Sequence, residues 1–340
     1  MSKDKILVTG GAGYIGSHTI IDLLENNYEV ISIDNYVNSS PSVMDLIKTV
    51  TGKTITNYNI DLTEYQKVEG VFAEHQDLKG VIHFAALKAV GESVEKPLEY
   101  FDNNIKSLLH IMKAMHRHKI ENLIFSSSCT VYGIPDKYPV NESTPIKPAA
   151  SPYGRTKQIG EMIIEDSIRK VGKAILLRYF NPAGAHSSTE IGELPINKAA
   201  NLVPAITETA AGIRDQLTVF GDDYDTRDGS CLRDYIHIMD LARAHTLAME
   251  YLIAGKQDQK LDVYNLGNGT GLTVLEVIHA FENVNQVKLN YKIGPRREGD
   301  VPAIYADSTK AITQLGWEPI YDIDEIVRTA WEWEKKRRKL

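Results

Sequence analysis

The chain has 340 residues, 43% of them hydrophobic and 24% charged, enough to bury a large core in one or two domains. A net charge of −7 and a pI near 5.8 argue against a nucleic-acid surface. Two cysteines, Cys129 and Cys231, make neither a disulfide framework nor a metal site and point to a reducing, cytoplasmic setting; no apolar run reaches the length of a membrane span, and neither a signal-type segment nor an internal repeat is seen.

Lys5-Ile6-Leu7-Val8-Thr9 is a short apolar run of the kind that forms a buried parallel strand. It leads into Gly10-Gly11-Ala12-Gly13-Tyr14-Ile15-Gly16 and then a helical pattern through Ile20, Leu23 and Leu24. Gly10 allows the tight turn, Gly13 lets backbone approach a phosphate, and Gly16 lets helix pack on strand. Free N–H groups and the positive dipole end of the helix then face a pyrophosphate. A glycine cluster alone is weak; between a strand and a helix it points to a dinucleotide. The next strand, Glu29 to Asp34, ends in an acid 18 positions past Gly16. A carboxylate there suits ribose hydroxyls and repels a 2′-phosphate, and Asn35 and Tyr36 bring no arginine, so NAD is favoured over NADP. A solvated strand-end aspartate is the alternative.

Further strands are expected at Thr54 to Asn59, Gly80 to Phe84, Asn122 to Phe125 and Ala174 to Tyr179, with helices between them. This alternation predicts an α/β fold, a Rossmann-type doubly wound parallel sheet covered on both faces. Ligands then bind beyond the carboxyl ends of the strands, at Asp61-Leu62, Ala85-Ala86-Leu87-Lys88, Ser126-Ser127-Ser128 and Phe180-Asn181-Pro182. Asp61 is placed to accept from an adenine amine. Ser128 is placed to bond a substrate hydroxyl, although three serines also make an ordinary strand-end turn.

Ser151-Pro152-Tyr153-Gly154-Arg155-Thr156-Lys157 reads as a helix start, with Ser151 as N-cap and Pro152 at the first helical position. Tyr153 and Lys157 are four apart and share a face. An ammonium beside a phenol is expected to favour the phenolate and to tune it for proton transfer. Taken alone, the pair fits any amphipathic helix equally well.

After about residue 185 helices alternate with loops rich in Gly, Pro and Asp, which reads as a smaller α/β substrate domain over the sheet edge. Residues 1–185 are assigned to the dinucleotide domain, with about 235–270 returning to it through a strand near Asp262 to Leu266, and 186–340 to the substrate domain. Asn201 to Pro204 opens a helix, and Leu217 to Gly221 is a strand and turn. Pro295-Arg296-Arg297-Glu298-Gly299-Asp300 sets two arginines in a loop, suited to phosphate oxygens or simply to solvent. No histidine grouping has metal spacing, and the basic run Lys335 to Lys339 fits a helix end.

Taken together, Thr9 to His18, Ser126 to Ser128, Tyr153-x-x-x-Lys157 and Arg178 to Pro182 resemble the extended short-chain dehydrogenase/reductase superfamily. Within it, Ala86 to Ser93, Arg233 to Leu241 and Pro295 to Asp300 are similar to the UDP-glucose 4-epimerase family, a likeness running from about residue 5 to about 333. The resemblance implies transient NAD-dependent oxidation at C4 of a UDP-hexose through a 4-keto sugar. It implies that Tyr153 is the base, Lys157 its electrostatic partner and a nicotinamide-ribose ligand, and Ser128 the holder of the sugar hydroxyl. NAD would meet Gly10, Gly13, Tyr14, Ile15, Gly16, Asp34, Asn35, Asn38, Ser39, Asp61, Leu62, Phe84, Ala85, Lys88, Asn103 and Tyr179. The UDP-sugar would meet Asn181, Asn201, Phe220, Arg233, Arg297 and Asp300. A homodimer is also implied. Dehydratases of the superfamily carry an acidic pair where this chain has Cys129 and Thr130 after Ser128. UDP-glucuronate as substrate needs a cation that the sequence does not identify. The position that gates N-acetylated sugars falls at Ile304, which is equally an ordinary packing residue.

Overall fold

The computed structural model describes residues 3–196, 199, 201–297 and 300–340. The chain runs β1 (Lys5–Thr9), α1 (Tyr14–Glu25), β2 (Glu29–Ile33), α2 (Ser42–Thr51), β3 (Thr56–Tyr58), α3 (Tyr65–Glu74) and β4 (Leu78–His83). Then follow α4 (Val90–Glu95), α5 (Pro97–His118), β5 (Asn122–Ser126), a 3₁₀ turn Cys129–Tyr132, α6 (Pro152–Val171) and β6 (Lys173–Tyr179). The later elements are β7 (Asn181–Ala183), α7 (Leu202–Ala210), β8 (Leu217–Phe220), β9 (Leu232–His237), α8 (Ile238–Ile253) and β10 (Leu261–Leu266). The chain ends with β11 (Gly271–Thr273), α9 (Val274–Asn285), β12 (Tyr291–Gly294), β13 (Ala303–Ile304), a π-helical turn Ala311–Leu315 and α10 (Ile323–Arg338).

Seven strands form one sheet in the order β3-β2-β1-β4-β5-β6-β10, every pair parallel. Its strands are apolar on both faces because helices cover both. One face packs Ile6, Val8, Ile82, Ile124, Ile175 and Leu177 with α1 and α8; the other packs Leu7, Val81, Leu123 and Leu176 with α3, α5 and α6. The order reverses between β1 and β4, which opens the crevice where such sheets receive ligands. β3 is shorter than the expected Thr54–Asn59 run, and β2 stops at Ile33, which leaves Asp34 just beyond the sheet.

The returning strand is β10, which pairs with β6 from Leu261 opposite Ala174 to Leu266 opposite Tyr179. A second return is not apparent in the sequence: Ala311, Leu315 and Trp317 also bury into the core of the large sheet. The Trp317 indole Nε1 donates to the Asp240 carbonyl at 2.8 Å, and the Asp240 carboxylate accepts from the N–H groups of Ile320 (3.2 Å) and Tyr321 (3.1 Å). A separate core holds α7, α9 and α10 around Ile206, Phe281 and Trp331. There β9 is the hub, pairing with β7, β11 and β13. The basic end of α10 is ion-paired: Lys335 to Glu332, Lys336 to Glu190, and Arg337 and Arg338 to Glu334.

Candidate functional site

A single cavity of about 620 Å³ runs along the carboxyl ends of the strands and under the second core. The turns after β1 to β6 supply one wall, through Gly10, Asp34, Asp61, Phe84, Ser126 and Asn181. Residues on α7, β8, β9 and the loop before β13 supply the other.

The glycine loop is shaped to keep backbone, not side chains, at the surface. Gly10 has φ +72, a left-handed conformation that glycine adopts without strain. A Cβ on Gly16 would lie 2.2 Å from the Gly10 carbonyl oxygen, so the loop and helix touch through bare backbone. Gly13 caps α1 with no side-chain hydrogen bond, and the first turn holds no acid. The helix end therefore keeps its donors and positive pole for an anion, which fits a dinucleotide pyrophosphate. Asp34 accepts from the Ala12 N–H (2.9 Å), the Tyr36 N–H (2.9 Å) and the Ser39 hydroxyl (2.8 Å). The carboxylate expected at the ribose is thus also the anchor of the loop itself. Asp61 holds Thr63 through its N–H (2.8 Å) and hydroxyl (2.7 Å), and Asn35 through its amide (3.2 Å). Together these bonds hold the loops after β2 and β3 in place.

At the other end of this stretch α6 begins as its sequence requires, with the Ser151 hydroxyl accepting the Gly154 N–H at 3.1 Å and Pro152 in the first turn. Tyr153 and Lys157 point into the cavity beside Ser128. Lys157 is buried; its Nζ donates to the Ser126 carbonyl oxygen at 2.5 Å and lies 4.9 Å from the Phe125 ring and 5.9 Å from the Tyr153 ring. Burial lowers the ammonium pKa to about 8, with the charge of Glu161 opposing that loss. The Tyr153 phenol departs from expectation. Burial holds its pKa well above the ordinary value, Tyr179 and Cys129 push the same way, and the Ser128 hydroxyl is the neighbour that offsets them. Desolvation outweighs the lysine because the phenolate would lose its water while the ammonium is turned to a carbonyl.

The loop after β4 is clamped by Asn104 of α5, whose side chain accepts the Leu87 N–H (2.8 Å) and donates to the Leu87 carbonyl (3.0 Å). Asn104 also donates to the Thr156 hydroxyl at 3.1 Å, tying Lys88 and its loop to α6. Sequence reasoning passed over Asn104 because a lone asparagine in a helix gives no pattern.

Across the cavity Asn181 donates to the Asp234 carbonyl at 2.9 Å. Arg297 stacks 5.2 Å from the Phe220 ring, and its guanidinium donates to Asp300 at 2.9 Å. The Arg233 guanidinium donates to the Val301 carbonyl (2.6 Å) and stands 3.6 Å from Asp300. Glu298 and Gly299 of that motif lie outside the described residues. Two cations 2.9 and 3.6 Å from one carboxylate, with an aromatic ring beside one of them, face the cavity and suit a diphosphate and a base.

All the residues assigned from the sequence to cofactor and substrate line this one cavity: Gly10 to Gly16, Asp34 to Ser39, Asp61, Leu62, Phe84 to Lys88, Asn103, Ser128, Tyr153, Lys157, Tyr179, Asn181, Asn201, Phe220, Arg233, Arg297 and Asp300 all contribute to it, Gly11, Ala12 and Tyr36 excepted. Ile304 does not line it. It is buried with Val131, Tyr132, Val140 and Phe180, so its packing role is the one the structure supports. Arg214 and Cys231 line the cavity without having been singled out. Among the described residues no group of acids, histidines and cysteines is placed to hold a metal, and no helix is long and apolar enough to cross a membrane.

Residues 7–330 match the family described as GDP-mannose 4,6 dehydratase. The chain is 45% identical over 331 residues to UDP-glucose 4-epimerase of Bacillus subtilis, covering 97% of this chain and 96% of that one. It is 43% identical to the mouse UDP-glucose 4-epimerase, covering 98% and 97%. The crystal structure of UDP-glucose 4-epimerase from Bifidobacterium longum in complex with NAD⁺ and UDP superposes with a TM-score of 0.94 at 45% identity, over 98% of this chain and 99% of that one. The chain belongs to the UDP-glucose 4-epimerase family of the extended short-chain dehydrogenase/reductases.

Proposed function

We propose that this chain interconverts UDP-glucose and UDP-galactose by transient oxidation at sugar C4, with Tyr153 as the acid–base group. The observation that supports this best is the continuity of the cavity: the glycine loop, the Tyr153–Lys157–Ser128 group and the Arg233–Arg297 cations share one space. Residues 1–185, with about 235–270 returning, hold the dinucleotide, and 186–340 hold the UDP-sugar. The loops lined by Gly10, Asp34 and Lys157 would hold NAD⁺, which would supply reversible hydride acceptance from the sugar C4 and a positive charge beyond that of Lys157.

Tyr153 takes the proton of the 4-hydroxyl and later gives it back, and Ser128 orients that hydroxyl. Lys157 stabilises the phenolate. Arg233 and Arg297 keep the diphosphate in place while the 4-keto sugar turns, so the other face can receive the hydride. Ser128 is followed by Cys129 and Thr130, which leaves no carboxylate beside it to drive elimination. That favours epimerisation over dehydration.

A homodimer is part of this proposal, as the family resemblance implies. Two free buried thiols suit a reducing cytoplasm.

The direct test is purified protein given UDP-galactose, with UDP-glucose formation coupled to an indicator dehydrogenase. Turnover together with NAD retained through gel filtration is expected. Absence of both retained NAD and exchange between the gluco and galacto forms would remove the proposal.

A further inference from the structure

A charged network lies under the Ser126–Ser128 turn and does not line the cavity. Glu161 and Arg178 are both buried. The Arg178 guanidinium donates to Glu161 through Nε to Oε1 (2.9 Å) and Nη2 to Oε2 (2.6 Å). Its remaining nitrogen donates to the Tyr132 hydroxyl at 3.1 Å, and that hydroxyl donates to Asn265 at 2.7 Å. Glu161 Oε1 also accepts the Ser127 hydroxyl at 2.5 Å.

Ser127 is the middle of three serines with separate tasks. The Ser126 carbonyl receives the Lys157 ammonium and the Ser126 hydroxyl meets that of Tyr179. The Ser128 side chain faces the cavity and accepts the Thr130 N–H at 3.2 Å. Glu161 therefore grips the one residue between the two that serve the active site. It stands one turn after Lys157 on the same face of α6.

Stability alone gives little reason for such a pair. A buried ion pair is often matched or bettered by apolar residues of similar volume, whereas removing one partner is severe. Placement explains it better. A bidentate fork fixes the carboxylate in direction as well as distance, and the carboxylate in turn fixes Ser127.

We propose that Glu161, held by Arg178, is a positioning residue for the epimerase reaction. It sets the Ser126–Ser128 turn and supports the charge on Lys157. This rests on the reading of function given above.

The test uses the NAD-bound enzyme and three variants: Ser127→Ala, Glu161→Gln, and Glu161→Gln combined with Arg178→Met. Ser127→Ala leaves the ion pair intact and removes one hydrogen bond. Its kcat is expected to fall roughly tenfold, with KM for UDP-galactose and the melting temperature near those of the parent. Glu161→Gln is expected to lower kcat and to move the alkaline limb of the pH profile downward, since Lys157 loses its supporting charge. The double variant removes both charges, avoids an unpaired buried cation, and decides the question where the single variant does not fold. It is expected to share the reduced kcat and the shifted limb. Parental kcat and pH profile in Ser127→Ala or in the folded double variant overturn the proposal. A parent enzyme without epimerase activity instead sinks the assignment of function, so the two failures are told apart.

Discussion

Tyr153 and Lys157 are buried together, and the consequences for their two protons run in opposite senses. The spacing of the pair on one helix face is readable from the sequence; its electrostatics are not, because burial depends on Phe125, Ser126 and Tyr179, which arrive from distant strands. Lys157 titrates near 8 in the folded chain against an ordinary value of 10.5. Between those values the unfolded chain binds more protons, so this group makes stability rise with pH. Activity does the reverse, since the ammonium that supports the phenolate is lost. A kcat/KM that falls above about pH 8, while urea midpoints hold or rise, is the expected pattern. Equal loss of both would refute it. Tyr153→Phe removes the acid–base hydroxyl and is expected to cut turnover at least about a hundredfold with the fold intact by circular dichroism.

At the scale of single elements, turns and caps were the legible parts. The Ser151 cap and the β1–glycine loop–α1 unit follow from local chemistry, and the structure forms them where the sequence places them. Gly16→Ala sets a Cβ against the Gly10 carbonyl, which forces the loop apart. NAD retention through gel filtration, read by absorbance, is expected to be lost in that variant, while the secondary structure stays. Asp234 on β9 was hidden, because its role lies in bonds to remote backbone. Its carboxylate accepts from the N–H groups of Asn268 (2.7 Å), Gly269 (3.1 Å) and Ala306 (3.0 Å). Burial still raises its pKa to about 6. Asp234→Asn turns an amide toward those donors and is expected to cost about 1–3 kcal/mol, measured by urea denaturation. A variant as stable as the parent would mean that these bonds add nothing net.

For the whole molecule, alternation of strands and helices was enough to anticipate the sheet, and the apolar run before Leu266 was enough to anticipate its last strand. The return of Ala311, Leu315 and Trp317 was not, since a few apolar residues in a polar stretch have no period to detect. The two cores are therefore interleaved along the chain: the large sheet takes its edge strand β10 and its cover α8 from between the segments that line the far wall of the cavity, and Trp317 from after them. A chain ending near residue 190 lacks β10, α8 and Trp317. It leaves β6 unpaired on one side and α1 without its neighbour. Such a fragment is expected to be insoluble on expression, where the full chain is not; a soluble, NAD-retaining fragment would contradict the interleaving.

The threading also fixes an order of events at the ribosome. The first six strands of the large sheet emerge early, yet their outermost hydrogen-bond partner follows about residue 260 and the indole that packs into their core follows after 310. The nascent chain therefore carries an unfinished sheet edge through much of its synthesis. The sheet whose strand ends carry the cofactor loops is complete only once the segment holding Trp317 has followed.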